Sequence, residues 1–60
     1  MTPAQVAIVE HGKACEAYSA QGFAAASAGL LESAQVFADF AELHSAAAFA
    51  IASGVCELAA

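Results

Sequence analysis

"SAGLL", Ser27 to Leu31, holds the residue on which the chain turns. Gly29 can enter the left-handed backbone region that other residues avoid. Leu30 follows it with an apolar side chain that can pack back on the preceding turn, the order a Schellman helix ending requires. Upstream, Thr2-Pro3-Ala4-Gln5 supplies the N-cap, the first-position proline and the third-position glutamine of a capping box, so a first helix is expected from Pro3 to about Ala28. Downstream there is no further proline and no β-branched run that reads as a strand. A second helix is therefore expected to start at Leu30, or a few residues later with Ser33 as its cap. The rival turn, Gln21-Gly22, would leave one short helix and one very long one. Gly29 instead gives two matched arms of ~40 Å at 1.5 Å per residue.

The second arm carries the strongest pattern. Leu30, Phe37, His44, Ile51 and Leu58 recur every seven residues, with Ala34, Ala41, Ala48 and Val55 at the neighbouring seam position and Phe40 beside them. Glu32, Gln35, Asp39 and Glu42 fall on the polar side, as an amphipathic helix requires. Beyond His44 that polar stripe is continued by Ala46, Phe49, Ser53 and Cys56, so this half of the helix is apolar nearly all round. Such a helix needs cover on more than one side, and a hairpin covers only one. The fold class read from these patterns is all-α: an antiparallel helical hairpin, a single domain over residues 1–60, that self-associates into a bundle or larger assembly. Phe37, Phe40, Phe49, Ile51, Val55 and Cys56 are its expected interface.

Composition points the same way. The chain has 60 residues, 62% of them hydrophobic. Many of these are alanines, which favour helix but bury little area each. A core of this size rarely supplies more than ~3–5 kcal/mol, and association is one remedy. One Lys and no Arg stand against six acidic residues, for a net charge of −5. That balance excludes the basic footprint of nucleic-acid binding and argues against anionic membrane surfaces. No stretch reaches the ~20 apolar residues of a transmembrane span, and "MTPAQVAIVEHGK" lacks the basic start and continuous apolar run of a signal peptide. With two cysteines, too few for a disulfide framework, the expected setting is reducing and cytoplasmic.

Candidate chemistry lies on the seam. His11, Cys15 and Tyr18 stand at i, i+4 and i+7, hence on one stripe of the first helix. In a hairpin turning at Gly29, facing residues have numbers summing to about 59, which sets Cys15 opposite His44. His11, Cys15 and His44 therefore form a candidate metal site, two imidazoles and a thiol of the kind zinc or copper takes, built from facing helices and lacking a fourth ligand. The alternative for His44 is a packed neutral imidazole beside Cys15. No nucleophile–base arrangement with an orienting group, phosphate loop or pair of carboxylates on an apolar face is present, so no enzymatic activity is expected. Cys56 falls about twelve residues along the bundle from Cys15, too far for an intrachain disulfide, but it lies on the stripe assigned to contacts between chains.

Two resemblances bear on partners. "HGKACEAYSAQGFAAASAG", His11 to Gly29, is similar in texture to the phasins, Ala-rich helical proteins that coat storage granules, which implies an apolar granule surface as a partner. "FADFAELHSAAAFAIASG", Phe37 to Gly54, resembles one helix of the cysteine-rich four-helix bundles that store copper. Phe37 and Ala41 stand where that family places thiols, so the copper role does not carry over to them. The functional expectation is a small non-enzymatic structural or interaction protein that self-assembles. The alternatives are a metal- or thiol-binding bundle using His11, Cys15 and His44, and a phasin-like granule coat.

Overall fold

The computed structural model describes residues 1–54 and shows two helices, α1 (Pro3–Ser27) and α2 (Leu31–Ala52), packed against each other as a hairpin. Val55, Cys56 and Leu58, assigned above to the seam and interface, lie outside the described residues. The start of α1 is the anticipated capping box. The Gln5 backbone N–H donates to the Thr2 hydroxyl oxygen at 3.1 Å, and the Thr2 N–H donates to Gln5 Oε1 at 2.8 Å. Pro3 occupies the first turn, where its missing N–H is not needed.

The turn is a complete Schellman motif. Gly29 has φ +81°, the Leu30 N–H donates to the Ala25 carbonyl at 2.9 Å, and the Gly29 N–H donates to the Ala26 carbonyl at 3.0 Å. Two carbonyls that a helix end would orphan are thereby satisfied. The chain leaves Gly29 already aligned for the return, so Leu30 serves as the N-cap of α2 without any side-chain hydrogen bond. The start offered at Ser33 is not used, because the Schellman closure leaves no linker for it to cap. The first turn of α2 instead carries Glu32, whose charge complements the positive end of the helix dipole.

Half-buried or buried positions trace the face each helix turns to the other. On α1 they include Ala4, Ile8, His11, Cys15, Tyr18, Gly22 and Ala25; on α2, Ala34, Phe37, Ala41, His44, Ala48 and Ile51. Both sets alternate steps of three and four, the spacing of a coiled-coil seam. Two of the large interface candidates, Phe37 and Ile51, thus contribute to packing within the hairpin. Gly22, the rival turn, is helical and buried, and the two helices approach closely there. A Cβ built there would lie 3.3 Å from Phe37 Cβ and 3.4 Å from the Ala34 carbonyl oxygen. Gly22 over Phe37 is the register summing to 59, so the absent side chain sets the distance between helices rather than breaking one.

Candidate functional site

The chemistry-bearing side chains gather in the middle of the seam. His11 comes from α1 and His44 from α2, and their Nδ1 atoms are 2.9 Å apart, a hydrogen bond in which one ring donates and the other accepts. Both rings are half-buried, with centroids 5.1 Å apart and planes inclined by 38°. On the other side of His44, toward the turn, lies Tyr18, stacked at a centroid distance of 5.6 Å and an interplanar angle of 13°. Tyr18 also stacks on Phe40 at 5.3 Å and on Phe37 at 6.3 Å. Aromatic pairs at these separations add to packing beyond their buried area. His44 is held between a ring that bonds it and a ring that fixes its plane.

Of the expected metal trio, the structure brings His11 and His44 together directly. Cys15 is a free, half-buried thiol one turn along α1 from His11. Among the described residues no group of three His, Cys, Asp or Glu side chains converges as metal ligands would. The hydrogen bond of His44 goes to His11 rather than to Cys15. The register itself is the one anticipated. Facing positions, however, match backbone levels, and side-chain tips depend on length: the short thiol stays within the seam, while two imidazoles reach along it and meet. The Tyr18–Phe37–Phe40 cluster was not singled out from the sequence. Its signal was present in Tyr18 as the only large ring on the seam of α1 and in the Phe37 and Phe40 pair three residues apart.

Outside the seam large apolar side chains are exposed on both flanks of the hairpin. On one, a groove between the helices is lined by small and large apolar residues, among them Gly22, Phe23, Ala26 and Leu31, and by the polar Ser19 and Gln35. Phe23 is 76% exposed and Leu31 71% exposed at its rim. Phe49, 75% exposed, lies eighteen residues beyond Leu31, five whole turns at 3.6 residues each, and so projects from the same side of α2. On the opposite flank Val36, Phe40 and Leu43, at i, i+4 and i+7, form a second exposed stripe. Glu42 lies beside Phe49, and Asp39 and Glu42 beside Leu43, at the edges of these flanks. Among the described residues Lys13 pairs with Glu10 at 3.7 Å, both well exposed. No described helix is long and apolar enough to cross a membrane. The chain matches no family model, no curated protein and no solved structure.

Proposed function

We propose that the chain is a small non-enzymatic structural or interaction protein whose working form is an assembly of hairpins joined through their apolar flanks. The observation that carries this reading is the imbalance between what the hairpin buries and what it leaves out. Among the described residues only Ala25 and Ala41 are buried hydrophobic side chains, while Phe23, Leu31, Leu43 and Phe49 all stand largely in solvent. Two helices with so small a core gain little from one another, and most helix stability in proteins comes from packing an apolar face. The groove beside Gly22 is floored largely by small residues, with Phe23 and Leu31 at its rim and the polar Ser19 and Gln35 in its walls, a shape that a large side chain of a second copy fits. Two cysteines, too few for a disulfide framework, suit a reducing, cytoplasmic setting.

The same flanks would serve a coat on an apolar granule surface, so the test must separate self-packing from surface binding. Phe23→Glu and Phe49→Glu each place a charge in the proposed contact and should dissociate the assembly and lower its helicity, because a charge buried without a partner is costly. Asp39→Lys, on the polar side, should leave assembly unchanged. Equal effects of all three would refute the assignment of the interface. A chain poorly helical alone that gains helix only on added apolar particles, read by circular dichroism, would replace self-assembly with the coat.

A further inference from the structure

We propose that His11 and His44 together form a binding site for a divalent transition-metal ion of the zinc class, with water completing its coordination. This inference is independent of self-assembly, since it rests on the seam of one hairpin. Two imidazole nitrogens, one from each helix, already point at a common spot, 2.9 Å apart. Metal–nitrogen bonds of about 2.0–2.1 Å in a tetrahedral arrangement place two ligand nitrogens ~3.3–3.4 Å apart. The separation therefore needs to grow by only ~0.4 Å, with both rings turning so that their Nδ1 lone pairs meet at an ion ~1.2 Å to the side of the line on which the shared proton now sits. The preorganisation is unusual because the two donors are equivalent: only one Nδ1 can carry the proton, and a metal satisfies both lone pairs at once.

The surroundings favour the exchange. Tyr18, stacked at 13° to His44, fixes that ring in the orientation that aims Nδ1 at His11. Among the described residues neither imidazole makes another hydrogen bond, so the donor ring can move its proton from Nδ1 to Nε2 through solvent, and no net proton is gained or lost. The rings are half-buried, which leaves the ion a path from solvent. The net charge of −5 attracts cations, and the single lysine is occupied by Glu10. Imidazole is a borderline ligand that suits zinc and its neighbours over magnesium or calcium. With two protein ligands the site is open, unlike the closed four-ligand sites that hold structural zinc.

The test is a Zn²⁺ titration of the full chain at pH 7.5 under reducing conditions, followed by calorimetry and by melting temperature. The expected result is one ion per chain and a melting temperature raised by several degrees, both abolished in His11→Leu and in His44→Leu and retained in Cys15→Ser. Loss of binding in Cys15→Ser, or its persistence in either histidine variant, would overturn the assignment. Should a histidine variant fail to fold, the wild type decides alone by nuclear magnetic resonance. The ring-proton signals of both histidines must shift together as Zn²⁺ is added; movement of one ring only, or of neither, contradicts the proposal. Mg²⁺ at the same concentration should move neither.

Discussion

Gly12 and Gly22 are both helical residues of α1, yet a methyl group would meet different surroundings at each. At Gly12 nothing lies within 4 Å of the added Cβ, whereas at Gly22 it would press on Phe37 Cβ at 3.3 Å. Replacing a helical glycine by alanine gains ~1 kcal/mol where space is free. Gly12→Ala should therefore raise the melting temperature. Gly22→Ala should lower it, because Phe37 Cβ is anchored to the backbone and cannot swing aside; a rise with both would mean the helices do not approach there. Tyr18 offers a second check. Tyr18→Phe keeps the rings stacked on His44, Phe37 and Phe40 and should change stability by less than ~0.5 kcal/mol. Tyr18→Ala should cost ~2–3 kcal/mol in urea unfolding, below the ~3–5 kcal/mol of a fully buried aromatic because the side chain keeps part of its surface in solvent. At this scale the sequence was only partly legible. The stripe His11, Cys15, Tyr18 and the level of His44 could be read from spacing, but which side chains touch depends on their reach, and spacing carries no information about that.

The helix ends were the most legible elements, because each is specified by residues next to one another. Thr2 and Gln5 close the capping box, and Gly29 with Leu30 closes the Schellman turn. Thr2→Ala should cost ~1 kcal/mol of helix stability, and Gly29→Ala should cost ~1–2 kcal/mol by forcing an alanine to φ +81°. Both are measured as shifts in the urea midpoint, and a neutral Gly29→Ala would mean the turn is elsewhere. The start of α2 was less legible. Ser33 has the right chemistry for a cap, but the Schellman closure delivers Leu30 directly into the new helix, and a tertiary requirement of the turn outranked a local preference. Gly22 stood as a rival turn for a related reason: glycine marks either a break or a close approach, and only the packing partner, Phe37, distinguishes them.

At the scale of the whole molecule, the seam of one hairpin uses one stripe of each helix and leaves two apolar flanks. The exposure of Val36, Phe40 and Leu43 on one side and of Phe23, Leu31 and Phe49 on the other follows from the two described helices having only each other to pack against among the described residues. The sequence pointed to Phe40 and Phe49 but not to Phe23, Leu31, Val36 or Leu43, which lie before the stretch read as apolar nearly all round, because exposure beside a seam depends on how the two helices face each other. Sedimentation equilibrium across a wide range of protein concentration, with helicity recorded on the same samples, tests the central claim most directly. The account predicts a mass that is a multiple of the 5.9 kDa chain, with helicity falling as dilution dissociates the assembly. A fully helical species sedimenting at 5.9 kDa at every concentration would contradict it.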